Sequence, residues 1–245
     1  MLFGLIGRKL SHSFSAKFFN KKFKEEGIDA EYKLFPMATI AELKNLFHQY
    51  PDLMGLNVTV PYKEEVIPYL NNMSDVVKEI KAANVIKIDR NNGNFFLNGF
   101  NTDVIGFRDS LVPLLNEKIK NALILGTGGA SKAVAFVLKN LNINITFVSR
   151  TPKINAITYE ELSEQIMKHN LLIVNTTPLG MFPDIDAFPP IPYQFITENH
   201  ICYDLIYNPE ETKFLTIAKQ KGALIKNGME MLYLQAIASW DIWTK

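Results

Sequence analysis

The sequence predicts an α/β protein built from two successive units. Three observations carry this. Strand-like and helix-like segments alternate along all 245 residues, the pattern of sheets covered by helices. A buried apolar run, Asn121 to Leu125, leads directly into a glycine turn and then a helical pattern, so a second unit starts near mid-chain. The last helical segment, Met229 to Trp243, carries both tryptophans and many apolar residues, and is expected to return to the first unit.

Leu2 to Ile6 reads as a strand and Ser13 to Glu25 as a helix. Glu31 to Phe35 is a second strand and Ile40 to His48 a second helix. Met54 to Val60 alternates polar and apolar, and is stopped by Pro61. Helical segments follow at Lys63 to Leu70 and Ser74 to Lys81. Strands Asn84 to Ile88 and Phe95 to Asn98 flank the turn Asn91-Asn92-Gly93. In the second unit, Val104 to Leu115 fits an amphipathic helix. Strand Asn121 to Leu125, helix Ala130 to Leu141, strand Ile145 to Ser149, helix Tyr159 to His169 and strand Leu171 to Asn175 come next. After the proline-rich loop Pro178 to Pro192 come strand Ile201 to Asp204, helix Glu210 to Lys221 and strand Ala223 to Ile225. The expected boundaries are 1–101 with 226–245 for the first unit, and 102–225 for the second.

Composition narrows the function. The 26 basic and 25 acidic residues give a net charge of +1, with no field to attract nucleic acid or a membrane surface. The lone Cys202 excludes an internal disulfide framework, and the four scattered histidines form no metal-ligand pattern. No apolar run approaches the roughly 18 residues of a membrane span. Met1 to Gly7 is apolar but short, with no preceding positive charge, unlike a secretory leader. The expectation is a soluble cytoplasmic protein.

Alternation puts Asn57 and Thr59 on one face of their strand, with Lys63 just past its end. An amide, a hydroxyl and an amine thus meet at the carboxyl end of a strand, where open α/β sheets hold ligands. An ordinary edge strand with a solvated lysine would show the same residues.

Gly126-Thr127-Gly128-Gly129-Ala130-Ser131 follows a strand and opens a helix, the context of a dinucleotide-binding turn. Gly126 would allow the tight turn, and Gly128 would let backbone approach pyrophosphate. Ala130 or Ser131 would take the small packing position. The helix N-terminus would offer free N–H groups to phosphate. A generic tight turn is the competing reading. In NAD-binding units the next strand ends in an acid that takes the ribose 2′-hydroxyl. Here it ends in Ser149-Arg150-Thr151, with Lys153 nearby. Arg150 can pair with a 2′-phosphate in a bidentate fork, so NADP is expected over NAD.

Further polar groups sit at element ends. Ser13 and Ser15 lie at a helix N-terminus, suited to a carboxylate, although Ser13 also reads as a simple N-cap. Asn84 stands at a strand start. Asp103 ends the first unit, and Asp103 or Thr102 could equally cap the next helix.

Taken in order, these residues resemble the shikimate dehydrogenase family along nearly the whole chain. His12-Ser13-Phe14-Ser15 is similar to its His-Ser-x-Ser site. Asn57-Val58-Thr59-Val60-Pro61-Tyr62-Lys63 matches Asn-Val-Thr-x-Pro-x-Lys, the most specific motif of the set. Asn101-Thr102-Asp103 and Gly126-Thr127-Gly128-Gly129-Ala130 match two more. So do Asn175-Thr176-Thr177-Pro178-Leu179-Gly180-Met181 and Asp204 through Thr212, while Gly228 through Gln235 fits loosely. The family commonly has Asn-Arg-Thr where this chain has Ser149-Arg150-Thr151.

The resemblance implies an N-terminal α/β substrate domain and a Rossmann-like NADP-binding domain, with the C-terminal helix returning to the first. It implies reversible reduction of 3-dehydroshikimate to shikimate with NADPH, in chorismate and aromatic amino-acid biosynthesis. Lys63 and Asp103 would be the catalytic pair. Asn57, Thr59, Asn84 and Gln235 would hold ring hydroxyls and the carbonyl. Ser13, Ser15 and Tyr207 would hold the carboxylate. Gly126, Gly128, Gly129, Ala130, Ser149, Arg150 and Thr151 would hold the cofactor, whose nicotinamide would lie against Leu205 and Gly228. The enzyme would act on this small molecule as a monomer or homodimer. The alternatives are a quinate/shikimate dehydrogenase with broader substrate or NAD use and a non-catalytic NADP-binding sensor of the same fold; a folate-type dehydrogenase is not favoured by the Ser13/Ser15 pair and Asn101-Thr102-Asp103.

Overall fold

The computed structural model describes every residue except Ser11, His12 and Asn92. The chain divides into two compact units, Met1–Thr102 with Ala236–Lys245, and Asp103–Gln235. The second crossing therefore falls at 236, inside the last helix, rather than at 226.

The first unit contains β1 (Leu2–Gly7), α1 (Phe14–Glu25), β2 (Glu31–Pro36), α2 (Leu43–Gln49), β3 (Leu53–Val58), α3 (Tyr62–Glu65), β4 (Asn72–Met73), α4 (Asp75–Ile80), β5 (Val85–Asn91) and β6 (Asn94–Phe100). Its sheet has the order β2-β1-β3-β5-β6-β4. β1 is parallel to β2 and β3, whereas β5 is antiparallel to both β3 and β6. Asn57 pairs with Val85, and Val85 with Phe100. The carboxyl ends of β1, β3 and β6 and the start of β5 therefore share one edge of the sheet.

β1 is buried throughout, so it reads as a continuous apolar run rather than an alternating one. Its alternate residues serve opposite cores: Leu2 and Ile6 join Leu43, Phe47, Leu56 and Tyr62, while Phe3 and Leu5 join Phe19, Phe23, Tyr32 and Trp243. Trp243 stacks on Phe3 with centroids 4.9 Å apart, and its indole N–H donates to the Ile86 carbonyl at 3.1 Å. The return of the C-terminal helix to this unit rests on those contacts.

The second unit contains α5 (Asp103–Leu111), β7 (Asn121–Leu125), α6 (Gly129–Asn140), β8 (Asn144–Ser149), β9 (Ala156–Thr158), α7 (Glu164–His169), β10 (Leu172–Asn175), β11 (Ile201–Asp204), α8 (Lys213–Gln220), β12 (Leu224–Lys226) and the first part of α9 (Met229–Thr244). The order β12-β11-β10-β7-β8-β9 is parallel throughout. Chain order reverses between β7 and β10, which is the switch point of a Rossmann-type sheet. Leu123, Leu125, Val148, Ile173, Cys202 and Phe214 form its core. Among the described residues, no helix is long and apolar enough to cross a membrane.

Several elements are shorter than expected, for local reasons. β3 stops at Val58, because Pro61 lacks an N–H and Val60 turns out to 73% exposure. Pro68 and Pro113 fall in short 3-10 turns, which cut the expected helices 63–70 and 104–115. Ser163 caps α7 by accepting the Ile166 N–H at 3.3 Å, so the expected helix 159–169 starts late. Thr212 likewise sets the start of α8. The strands β4 and β9, of two and three residues, carry too little pattern to be read in advance.

Candidate active site

The shared edge of the first sheet gathers most of the expected substrate residues. Ser13 caps α1, accepting the Ala16 N–H at 3.4 Å, and Ser15 is buried in the first turn. His12 lies outside the described residues. Val58 N–H donates to the Asn84 carbonyl at 2.8 Å, so antiparallel pairing brings Asn84 beside the end of β3. The Asn84 side chain is tied to Thr102: its Oδ1 accepts the Thr102 N–H at 2.7 Å, and its Nδ2 donates to Oγ1 at 3.0 Å. Thr59 lies one residue beyond the strand and is half-buried, with its N–H on the Ile6 carbonyl at 2.9 Å. Lys63 is half-buried in α3, and its carbonyl accepts the Ala83 N–H at 2.8 Å. That bond holds the turn of α3 against the residues just before Asn84.

Asn57 is only 4% exposed, and its amide is largely spent inside the protein. Tyr32 Oη donates to Asn57 Oδ1 at 2.7 Å, and Asn57 Nδ2 donates to Ser239 Oγ at 3.1 Å and to the Asn84 carbonyl at 3.4 Å. Neither Tyr32 nor Ser239 stood out in the sequence. Tyr32 carried one faint signal, an aromatic between Glu31 and Lys33 in an alternating strand. Ser239, 182 residues from Asn57, carried none.

In the second unit the loops after β7 and β10 flank the switch point. Gly126 has φ +104°, and a β-carbon there would stand 2.8 Å from Thr176 Oγ1. Only glycine suits that position. Gly128 differs: its backbone is extended, and nothing lies within 4 Å of where a β-carbon would be. No protein neighbour demands glycine there, and the open space would let a phosphate come close to the backbone. Gly129 and Ala130 open α6, whose first turn holds no acidic residue, so its N–H groups and dipole suit an anion. The residues present therefore fit a dinucleotide.

β8 ends at Ser149, followed by the exposed Arg150 and by Thr151, whose N–H reaches Ser149 Oγ at 3.4 Å. Arg150 is near enough to Tyr159 to favour its ionised form, though burial holds that phenol up at about 12. Lys153 Nζ donates to Thr127 Oγ1 at 2.7 Å, which puts a second cation on the glycine turn itself.

Asp204 is the pin of the neighbouring loops. Its Oδ1 accepts Asn175 Nδ2 and the Ile206 N–H, both at 3.0 Å, and its Oδ2 accepts Thr212 Oγ1 at 2.6 Å. Burial pushes its carboxyl up to about 6 against those three bonds. Asn175 Oδ1 in turn accepts the N–H and hydroxyl of Thr177. The backbone of Leu205 fills the space a side chain at Gly228 would need, so chain packing already accounts for that glycine. Tyr207 is half-buried, which raises its pKa. Gln235 is buried and donates from Nε2 to the Leu232 carbonyl at 2.9 Å. Asp103 is buried as the first residue of α5, where a carboxylate also favours the helix dipole.

A family sequence profile described as the shikimate dehydrogenase substrate-binding domain matches residues 5–86. The NADP(+) shikimate dehydrogenase of Clostridium beijerinckii is 40% identical over 259 residues, an alignment spanning 98% of this chain and 91% of that protein. The corresponding protein of Methanococcus aeolicus is 36% identical over 260 residues, spanning 99% and 91%. Among solved structures, the shikimate dehydrogenase of Thermus thermophilus in complex with NADP(H) and shikimate matches with a TM-score of 0.86 at 28% identity, covering 100% of this chain and 93% of that one.

Proposed function

The chain belongs to the shikimate dehydrogenase family, and from that premise we propose how its own residues carry out the reaction. It is an NADP-dependent oxidoreductase that reversibly reduces 3-dehydroshikimate to shikimate. The observation that carries this reading is the pairing, in one chain aligned end to end with such enzymes, of a β7–α6 turn open to pyrophosphate at Gly128 with the Asn57-to-Lys63 strand end.

NADP, when bound, supplies or accepts the hydride. Lys63 serves the oxygen of the reacting carbon. As hydride reaches the ketone, negative charge builds on that oxygen, and the Lys63 ammonium stabilises it and delivers a proton. Asp103 accepts a bond from a ring hydroxyl. Thr59, Asn84 and Gln235 hold the remaining hydroxyls and the carbonyl. Asn57 is left one carbonyl lone pair for a ligand, since both its N–H groups are engaged. Ser13 and Ser15 bind the carboxylate with Tyr207. Ser13 keeps its hydroxyl hydrogen for this role, because its cap bond uses the oxygen as acceptor.

Gly126, Gly128, Gly129 and Ala130 cradle pyrophosphate. Ser149, Arg150 and Thr151 take the 2′-phosphate, with Lys153 beside them on Thr127. Leu205 and Gly228 are the wall for the nicotinamide. Every assigned group comes from one chain, so a monomer or a homodimer can work alike.

The test is spectrophotometric. NADPH or NADH formation is followed with shikimate, with quinate and without substrate. Shikimate with NADP should give the highest kcat/KM. Equal or better turnover of quinate with NAD would sink the reading.

A further inference from the structure

Four residues of the first unit form a closed hydrogen-bonded ring. Asn57 Nδ2 donates to Ser239 Oγ at 3.1 Å, and Ser239 Oγ lies 3.1 Å from Thr102 Oγ1. Thr102 Oγ1 accepts Asn84 Nδ2 at 3.0 Å, and the Asn84 backbone carbonyl accepts Asn57 Nδ2 at 3.4 Å, which closes the circuit. Ser239 and Thr102 are fully buried, and Asn57 and Asn84 nearly so.

The orientation of the Asn57 amide follows from its neighbours. A backbone carbonyl can only accept, so the group facing Asn84 must be the NH2 and the group facing Tyr32 must be the oxygen. Tyr32 is therefore the donor at 2.7 Å. Complete burial raises its pKa well above the phenol value, with Ser15 opposing, so the hydroxyl keeps its proton. Ser239 sits on the half of α9 that returns to this unit.

We propose that Ser239 and Tyr32 are positioning residues of the substrate site: Ser239 acts through Asn57 and Thr102, and Tyr32 through Asn57, to lock the ring that sets the Asn84 carboxamide and the backbone of Thr102, the residue before Asp103. They have this role only if Asn84 and Asp103 serve shikimate, as proposed above. Neither side chain needs to touch the substrate. Removing the Ser239 hydroxyl deprives Asn57 of an acceptor in a buried setting, where rotation of one amide loosens the next.

The experiment measures the KM for shikimate and for NADP, with kcat, in wild type, Ser239→Ala, Tyr32→Phe and Asn57→Ala, and in each of the first two combined with Asn57→Ala. Either single variant should raise the shikimate KM about fivefold to tenfold while the NADP KM stays within about twofold. In the Asn57→Ala background, either change should add clearly less than its single-variant factor, because each shares a bond with that amide, although Ser239 also meets Thr102 directly and Tyr32 also meets Ser15. Should one variant fail to fold, the other carries the same test. An unchanged shikimate KM, a parallel rise in both KM values, or full additivity with Asn57→Ala would overturn the role. A wild type that does not oxidise shikimate would instead overturn the proposed function, and this role with it.

Discussion

The backbone carbonyl of Leu205 occupies the place a β-carbon would take on Gly228. The loop after β11 and the start of α9 are thus packed backbone to backbone, whereas Gly128 has open space on the same test. The two glycines serve different ends, and substitution separates them. Gly228→Ala should destabilise the protein by about 1–3 kcal/mol, as overpacking does. Gly128→Ala should cost at most about 1 kcal/mol of stability at this N-cap position but raise the NADP KM about tenfold, because its methyl holds a phosphate off the backbone. A Gly128→Ala protein with normal NADP affinity would remove the pyrophosphate from that turn.

Lys63 is expected to act in the transition state more than in binding. Lys63→Ala should lower kcat by at least about a hundredfold, while the shikimate KM changes little. Steady-state rates of NADP reduction check this, and near-normal turnover would exclude Lys63 as proton donor.

Arg150 is exposed at the end of β8, with no carboxylate beside it in Ser149-Arg150-Thr151. Arg150→Asp should invert the preference between NADP and NAD, with NADP losing about tenfold or more in kcat/KM, roughly the worth of a charge-assisted pair. Lys153 is a second cation on the same turn through Thr127, so Lys153→Ala should weaken NADP binding without improving NAD. An unchanged NADP/NAD ratio in Arg150→Asp would refute the assignment.

Asp204 titrates at about 6 in the folded protein, against 3.8 for an ordinary aspartate. The folded state therefore holds its proton more tightly than the unfolded state. Its contribution to stability is fully present below about pH 4 and declines as pH rises through about 6. A shift of this size corresponds to roughly 3 kcal/mol. Urea unfolding of wild type and Asp204→Asn between about pH 4 and 7.5 reads it as a difference. The wild type should lose stability relative to the variant with rising pH, and a flat difference would contradict the buried carboxyl.

The local geometry was legible in the residues themselves. A strand feeding Gly126, the basic end of β8, and the Asn57-to-Lys63 segment are contiguous patterns, and short-range sterics and hydrogen bonding dictate what they do. The alternation of strands and helices likewise declared an α/β chain, since side-chain periodicity reports which faces are buried. Boundaries were less legible where prolines and caps such as Pro68, Ser163 and Thr212 decide them residue by residue.

Tertiary structure alone decided the long-range pairings. Antiparallel pairing of β5 with β3 and β6 is what carries Asn84 and Thr102 to the end of β3. The placement of Ser239 against Asn57, 182 residues apart, exists only because α9 returns to the first sheet. Asp204 reads as a motif residue in sequence but is a buried pin in the fold, raised to about 6 by its surroundings. Sequence patterns encode which groups are polar and which faces are buried. Partnership and desolvation belong to pairs of residues, and they appear only once the chain has brought those pairs together.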